Sequence, residues 1–444
     1  MSSLPKRLPI LALAFLLAAC AGPAPTSTPT PSPTAQPSTS PTSTATSLPS
    51  ATTTGAPSPT PSATSTIGPT PATPTGTRAG PTPAPPTPGI PNDWTEAPFF
   101  IGSDPATRIN GIAFGNDVFI AVGVAKHARE KAAVWASRTG LTWVEVGQTN
   151  FPRSFDAVTF DGSDFFAFGS APTTVWKSNG TQKWQQVELP QTGGGELGSF
   201  NAFTGGTVSE ATTTGGQMYA AGAAAVTNGD IACASCVAAW RSENGTDWNQ
   251  SVVVMDDSLR AFAAIPGLAL VVMSGQNLGR ALRMSTDFDE WTAPPVTLPD
   301  GGGYLDATGD GERIVAVGYG RNDLGVASAL VADGQEWSQV SIDADTFAPA
   351  EQVAWAGGQF VAVGTEIGGD HVHAVSWSST DGLSWTPGPD VYDLPRPPLG
   401  SEPGDNPFHQ RTIGGGTPGF VLAQTLPDGL HVWFAPARAF AAGL

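Results

Sequence analysis

A set of charged and amide side chains stands at one recurring place in this sequence, a few residues before a turn-and-strand phrase that repeats along the chain. Aligning the repeats on that phrase puts these residues in one column: Asn110, Asp156, Arg260, Leu305, Glu351 and Arg411. The third repeat is irregular, and Asn201 is its nearest polar equivalent. Carboxylates and guanidinium groups collected around one opening could bind a small polar ligand. The alternative is that they neutralise one another as a ring of salt bridges and water.

The densest group of basic residues in this acidic chain is a second candidate. It lies in a loop of the first repeat and comprises Lys126, Arg129 and Lys131, interleaved with His127 and Glu130. Such a group can attract an anionic partner, although most loop charges are simply solvated. The formal net charge is −18, and no other basic run lies beyond the first residues. A nucleic-acid partner is therefore not expected.

Two of the three cysteines, Cys233 and Cys236, form a CASC motif in a long insertion of the third repeat. In a secreted chain we expect them to form a local disulfide. A redox CxxC needs a helix-start setting, which this strand-rich insertion lacks, and a zinc site needs two further ligands. His371 and His373 share one strand face, but a lone His pair is more often surface decoration. We expect neither a metal site nor a cofactor.

The elements that position these residues follow from a short phrase that occurs six times and ends in Trp. Its copies are SRTGLTW (137–143), SNGTQKW (178–184), SENGTDW (242–248), STDFDEW (285–291), VADGQEW (331–337) and STDGLSW (379–385). The middle of each copy holds Asp, Asn, Thr or Gly, which are turn residues. An apolar, β-rich run precedes each copy and an alternating run follows it. Each phrase is therefore the turn of a β-hairpin.

A second recurring phrase lies upstream and consists of a tight turn followed by a buried strand. Its clearest copies are GNDVFIAVG (115–123), DGSDFFAFG (161–169), GGQMYAAG (215–222), DGERIVAVG (310–318) and GGQFVAVG (357–364). Together the two phrases predict four antiparallel strands in a unit of about 45 residues, which is the blade of a β-propeller.

The number of blades follows from the two ends of the chain. After Trp385 there is room for three more strands, but no turn phrase follows them. Near the N-terminal end of the repeats, Trp94 matches the Trp of a fourth strand, yet no blade precedes it. The economical solution is that residues 93–101 supply the outer strand of the last blade, which closes the ring and removes an open edge. The sequence therefore predicts an all-β, seven-bladed β-propeller over residues 92–444.

The recurring Trp phrases resemble Asp-box repeats, also called BNR repeats, of sialidases and related bacterial propellers. STDGLSW (379–385) is close to the family pattern, and the resemblance covers about residues 93–434. In that family the box is a turn between the third and fourth strands, with its Trp packed between blades. The resemblance therefore implies that the box residues are structural, and that a ligand would bind at the opposite mouth, where the polar column lies.

The resemblance also raises the question of catalysis. Sialidases have six blades and use three arginines, a Tyr–Glu pair and an Asp, but their Arg-Ile-Pro phrase is absent here. A set could be assembled from Arg153, Arg260, Arg411, Tyr304, Glu351 and Asp156, yet no motif selects it, and we assign no catalytic residue. We expect a binding or scaffold propeller that recognises an extracellular glycan or an envelope protein. The alternative is a sialidase-like glycoside hydrolase acting at the propeller mouth.

The N-terminus indicates where this propeller works. Residues 1–19 combine Lys6 and Arg7 with an apolar stretch too short to span a bilayer, which is the layout of a secretory signal. The phrase Leu-Ala-Ala-Cys resembles a bacterial lipobox and implies that Cys20 is diacylated, which anchors a protein stably. Residues 20–91 are almost entirely Pro, Thr, Ser, Ala and Gly, which predicts a disordered, extended stalk. We expect an extracytoplasmic, surface-exposed protein, anchored by lipid to the bacterial membrane.

Overall fold

The computed structural model describes most of the chain after the predicted stalk. The described ranges are 93–97, 106–126, 130–146, 150–170, 173–180, 183–190, 192–195, 198–200, 206–228, 231–255, 257–273, 281–296, 302–320, 326–334, 336–343, 348–368, 371–395, 411–426 and 429–440. The predicted signal segment, Cys20 and the stalk lie outside these ranges. Within them, no helix has the length and apolar character needed to cross a bilayer.

The described strands form the blades of a seven-bladed β-propeller. The first strand of the chain is β1 (Thr95–Ala97). Blade 1 contains β2 (Ala106–Gly115), β3 (Val118–Lys126), β4 (Glu130–Ser137) and β5 (Val144–Glu145). Blade 2 contains β6 (Ser154–Phe160), β7 (Phe165–Ser170), β8 (Thr174–Ser178) and β9 (Gln185–Gln186). A small hairpin follows, formed by β10 (Thr192–Gly195) and β11 (Gly198–Phe200).

The remaining blades repeat this order with local variations. Blade 3 contains β12 (Gly206–Thr214), β13 (Gln217–Asn228), β14 (Ile231–Ser242) and β15 (Asn249–Met255). Blade 4 contains β16 (Leu259–Ile265), β17 (Leu268–Met273) and β18 (Ala281–Ser285). Blade 5 contains β19 (Gly303–Gly309), β20 (Ile314–Tyr319), β21 (Ala327–Ala332) and β22 (Trp337–Ser341). Blade 6 contains β23 (Ala350–Ala356), β24 (Gln359–Gly368), β25 (His371–Ser379), β26 (Thr386–Pro387) and β27 (Tyr392–Pro395). Blade 7 contains β28 (Arg411–Gly416), β29 (Gly419–Leu426) and β30 (Gly429–Pro436), followed by a 3-10 helix (Ala437–Phe440).

The innermost strand of each blade contacts that of the next, and the series β2, β6, β12, β16, β19, β23 and β28 returns to β2. Blade 7 is completed by β1, which pairs antiparallel with β30 so that Thr95 lies opposite Phe434. This confirms the predicted closure by the N-terminal strand. Glu96 accepts a hydrogen bond from His431 Nδ1 at 2.7 Å across the joint. Closure supplies the outer strand of blade 7, so that β30 has a hydrogen-bonded partner on both sides.

The predicted fourth strand of blade 4 is reduced in the structure. After the turn phrase that ends in Trp291, the residues described up to 296 pair with β18 through a single bridge between Met284 and Thr292. The Trp291 side chain is only half-buried and donates from Nε1 to Ser251 Oγ at 2.9 Å. The Trp phrase thus forms its turn without requiring a full strand after it.

The Trp phrases fold as tight turns at one end of the propeller, as the blade 6 copy illustrates. Ser379 Oγ accepts from the backbone N–H of Gly382 at 2.8 Å, and Asp381 Oδ1 accepts from that of Ser384 at 2.7 Å. Trp385 Nε1 donates to the Gly382 carbonyl at 2.8 Å. Gly382 has φ +74°, a conformation that favours glycine. These bonds satisfy the turn internally, which explains the recurrence of Ser, Asp, Gly and Trp.

Consecutive blades pack through apolar faces. At the closure, Trp135 and Trp143 of blade 1 are buried together with Val421 and Phe434 of blade 7. Burying each large side chain stabilises the fold by roughly 1.5–3 kcal/mol. The inner strands are therefore held on a rigid scaffold, and side chains at their ends have fixed positions.

Candidate functional site

The innermost strands of six blades start with a β-bulge, and the bulges fall on the polar column seen in the sequence. In blade 1, Ile109 pairs with Gly123 and Gly111 pairs with Val122, so that Asn110 has no partner in the ladder. The bulged residues are Asn110, Asp156, Ser209, Arg260, Leu305 and Glu351. A bulge re-aims a side chain relative to a regular strand. The column is therefore a repeated structural feature at the mouth where the inner strands begin.

A glycine in the second strand makes room for most of these bulges. A Cβ on Gly123 would lie 2.0 Å from the Arg108 carbonyl oxygen, and one on Gly222 would lie 1.8 Å from that of Thr207. A Cβ on Gly364 would lie 2.1 Å from the carbonyl oxygen of Pro349. The glycine that ends the second recurring phrase is thus required by the mouth of the channel. Blade 4 keeps its bulge with Met273 at this place, which nothing in the structure explains.

In two blades the bulge position differs from the predicted column. In blade 3 the bulged residue is Ser209, because Val208 pairs with Gly222 and Glu210 with Ala221; Asn201 lies outside the described residues. In blade 7, Arg411 is not bulged but pairs with Gln424 in the ladder. The loss of the bulge coincides with the replacement of the usual glycine by Gln424.

Asn110 and Asp156 meet between blades 1 and 2. Asn110 Nδ2 donates to the Phe155 carbonyl at 2.7 Å and more weakly, at 3.4 Å, to Asp156 Oδ1. Ser154 Oγ donates to the same Asp156 oxygen at 2.6 Å. Asp156 Oδ1 is thus engaged by protein donors, whereas no hydrogen bond to Oδ2 is present among the described residues. The half-buried carboxylate therefore has one oxygen that the described residues leave without a donor.

Arg411 and Glu351 form a closed network between blades 6 and 7. Arg411 Nη1 contacts Glu351 Oε2 at 2.7 Å, and the arginine side chain is only 2% exposed. Its Nη2 donates to Thr365 Oγ1 at 2.7 Å and to the Tyr392 hydroxyl at 3.1 Å, while Nε donates to Gln424 Oε1 at 3.1 Å. The salt-bridge alternative for the polar column therefore describes this pair, and it holds most of the guanidinium donors inside the protein.

The other predicted residues stand apart from these two groups. Arg260 is exposed on its bulge, and Leu305 is half-buried. In the basic loop, Lys131 is exposed, whereas Arg129 and the side chain of Lys126 lie outside the described residues. Anion binding by that loop therefore stays a prediction.

The cysteine and histidine motifs also have defined surroundings. Cys236 is buried in β14 and disulfide-bonded; its pairing with Cys233, whose side chain is not described, stays a prediction. His371 Nδ1 lies 2.8 Å from Asp393 Oδ1, and His373 Nε2 lies 3.2 Å from Asp390 Oδ2. Across the described part of the chain, no group of three or more His, Cys, Asp or Glu side chains is placed to hold a metal ion.

The mouth contains a pocket that sequence reasoning located only in part. Its cavity volume is about 270 Å³, and its lining comprises Arg108, Ile109, Asn110, Asp156, Ser209 and Arg411. Arg108 was not predicted. It lies two residues before its bulge, where the five other bulged blades have Ser154, Thr207, Ser258, Gly303 and Pro349. The one charged residue in a column of small or neutral residues was the signal that could have identified it.

The mouth pocket continues into the central channel, which has a cavity volume of about 220 Å³ and shares Asn110, Ser209 and Arg411 with it. Glu210 and Asp306 also line this channel. Burial raises the pKa of Asp306 to about 7, against two backbone N–H groups that favour its ionised form. Burial, and then repulsion from Asp306, hold the pKa of Glu210 well above its usual range. The channel below the mouth therefore disfavours two ionised carboxylates at once.

Comparisons with known proteins give similarity in fold. No family model matches the chain, and no curated protein matches it. The β-propeller domain of the trilobed protease from Pyrococcus furiosus has 10% identity and a TM-score of 0.43, covering 74% of this chain and 95% of its own. An ulvan-degrading polysaccharide lyase has 11% identity and a TM-score of 0.44, covering 77% and 96%. The fucose-recognising lectin of Aleuria aurantia, a six-bladed propeller, has 12% identity and a TM-score of 0.37, covering 67% and 98%.

Proposed function

We propose that this protein is a non-catalytic binding module that recognises an extracellular glycan or an envelope protein through the mouth of its propeller. Its display outside the cell, through a lipidated Cys20 and the proline-rich stalk, is part of the same proposal. The observation that carries it is the mouth pocket, in which Arg108, Asp156 and Ser209 surround one cavity. These side chains offer donors and acceptors of the kind that hold a hydroxyl-rich ligand.

The pocket is organised before any ligand arrives. Asn110 is fixed by the Phe155 carbonyl and Asp156 by the Ser154 hydroxyl, and all stand on inner strands of packed blades. A preorganised site avoids much of the ordering cost of binding. Rigid polar groups around a concave opening therefore support recognition of a ligand end or a single sugar unit, because the cavity is at the small end of the usual range for ligand sites.

The hydrogen bonds that hold Arg411 inside the protein favour binding over sialidase-like catalysis. Three arginines free to hold one substrate carboxylate would be needed, yet Arg411 contacts Glu351, Thr365, Tyr392 and Gln424. Its companions in the imagined set, Arg153 and Arg260, are exposed.

A glycoside hydrolase is the second candidate, and the channel carboxylates favour it. Carboxyl groups with raised pKa values are typical of general acids, and glycosidases use two carboxyl groups. Asp306 has a structural explanation as well, because its Oδ2 accepts from the Val353 N–H of blade 6 at 2.8 Å and its Oδ1 from the Ala307 N–H at 2.8 Å. We therefore rank the hydrolase second.

A glycan array probed with the full-length protein in mild detergent tests the proposal. We expect binding to a defined group of glycans, and at least about a tenfold loss for Asp156→Asn. The amide oxygen of the variant would remain bonded to Ser154, so an NH2 group, which only donates, would replace the oxygen that accepts from a ligand hydroxyl. Asp289→Asn is the matched control, since Asp289 is exposed in a Trp-phrase turn at the other end of the propeller. Equal losses in both variants, or no binding to glycans or isolated envelope fractions, would contradict the proposal. Turnover of fluorogenic sialosides or aryl glycosides, lost in Glu210→Gln, would establish the hydrolase instead.

A further inference from the structure

Arg108 carries a positive charge that the protein does not neutralise. It makes no hydrogen bond and no ion pair within the described structure, and its Nε atom is buried without a partner. A guanidinium remains protonated at all ordinary pH values, and an unpaired buried donor of a charged group is costly to maintain. An acceptor supplied from outside the chain would remove that cost.

Asp156 lines the same pocket as Arg108 without pairing with it. The two side chains carry opposite charges, yet no ion pair within 4.0 Å joins them in the described structure. Asp156 Oδ1 is held by Ser154, whereas its other oxygen has no protein donor there. A gap between an unpaired cation and a carboxylate is the arrangement that a ligand with both an acceptor group and a donor group would fill.

The charges that remain unpaired at the pocket determine which ligand groups fit it. Arg411 also lines it, but its charge is balanced by Glu351 outside the lining. Within the described structure, the lining therefore has one unpaired cation, Arg108, and one unpaired anion, Asp156. The planar guanidinium group of Arg108 fits a carboxylate with two parallel hydrogen bonds. Asp156 accepts from a hydroxyl group, and exposed Ser209 can either donate or accept.

From these contacts we infer that the mouth pocket binds a carboxylate-bearing sugar unit of the uronic acid type, with its carboxylate on Arg108 and a ring hydroxyl on Asp156. This inference rests on the proposed function and adds the chemical class of the ligand to it. The overall charge of −18 opposes an anionic ligand at long range. Screening at physiological salt limits that repulsion to about 8 Å, so the nearby charge of Arg108 has the larger effect on a ligand in the pocket.

The test compares two sugars that differ only in the carboxylate. Titration calorimetry with the full-length protein in detergent, at 0.15 M salt, measures methyl glucuronide against methyl glucoside. We expect the glucuronide to bind at least about tenfold more tightly, because a charge-assisted pair contributes more than a neutral one. Arg108→Gln should remove this preference and leave glucoside binding within about twofold, since the neutral hydroxyl contacts remain.

Arg138→Gln is the matched control, because Arg138 is exposed in the Trp-phrase turn of the same blade, at the other end of the propeller. It should leave both affinities unchanged. Thermal unfolding of Arg108→Gln, within about 2 °C of the wild type, excludes loss of fold as the cause. Equal binding of the two sugars overturns the carboxylate inference and leaves the proposed glycan function in place. Preference retained in Arg108→Gln also overturns it, and no binding of either sugar counts against both.

Discussion

Glu351 of blade 6 and Arg411 of blade 7 form an ion pair, with Oε2 and Nη1 2.7 Å apart and the arginine side chain almost fully enclosed. Thr365 bridges the two, since it donates to Glu351 Oε2 at 3.0 Å and accepts from Arg411 Nη2 at 2.7 Å. The polar column of the mouth is therefore divided into two parts. On the side of blades 6 and 7 the charges satisfy each other, whereas on the side of blades 1 to 3 they surround an open pocket.

Removing the acid of this pair should leave a buried charge uncompensated. We expect Glu351→Ala to lower the free energy of unfolding by about 3–5 kcal/mol, the usual effect of breaking a buried pair from one side. Chemical denaturation followed by Trp fluorescence measures it. Glu336→Ala is the control, since Glu336 is exposed in a Trp-phrase turn, and its effect should stay within about 0.5 kcal/mol. Equal stabilities for the two variants would show that Arg411 finds other partners.

The glycine opposite the first bulge should be irreplaceable for a steric reason. In Gly123→Ala the Cβ would lie 2.0 Å from the Arg108 carbonyl oxygen, so the bulge that carries Asn110 must shift. Gly267→Ala is the control for backbone strain alone, because Gly267 has φ +80° and open space around its Cβ position. We expect the control to lose about 1–2 kcal/mol of stability and Gly123→Ala to lose clearly more, together with ligand binding at the mouth. Similar losses would mean that the bulge adapts freely.

Much of this fold could be predicted from the sequence because its signals are local. The turn phrases recur since Ser379, Asp381 and Gly382 satisfy one turn within a few residues, and the orphan Trp94 indicated the closure. The residues of the candidate site were harder to predict from the sequence. Ser209 was missed because the register of a bulge depends on the partner strand. The salt-bridge alternative covered Arg411 and Glu351, but the contact of Arg411 with Tyr392 was missed because Tyr392 comes from a strand added after the regular blade 6. Arg108 could have been found only by comparing the small residues that replace it.

Stability should depend on pH through the channel carboxylates. Both pKa values are raised in the folded protein, that of Asp306 to about 7, whereas the unfolded chain releases these protons near pH 4. The folded state therefore binds more protons between those values, and the free energy of unfolding falls as the pH rises from about 4 towards 7.

Glu210→Gln removes one of these ionisations and its repulsion on Asp306. We expect the variant to match the wild type near pH 4 and to exceed its melting temperature at pH 8, above the pKa of about 7 of Asp306, where ionisation of the channel carboxyls costs the wild type stability. Scanning fluorimetry across this range measures the difference, with Glu290→Gln, an exposed position, as control. A difference in melting temperature that does not change with pH would contradict the assignment of the effect to ionisation.

Phe288 should reverse the usual order of alanine and glycine substitutions. It stands where four of the other five Trp phrases have glycine and has φ +70°, a strained conformation for a bulky residue that costs about 1–3 kcal/mol. Its ring is buried and packs 5.5 Å from those of Tyr219 and Trp291, with Arg241 5.3 Å from its centroid. Loss of such a ring costs about 3–5 kcal/mol, so packing outweighs strain and both truncations should destabilise the protein. Phe288→Gly relieves the strain whereas Phe288→Ala keeps it, so unfolding titrations should rank stability as wild type, then Gly, then Ala. An alanine variant more stable than the glycine variant would show that the backbone at this turn relaxes once the ring is removed.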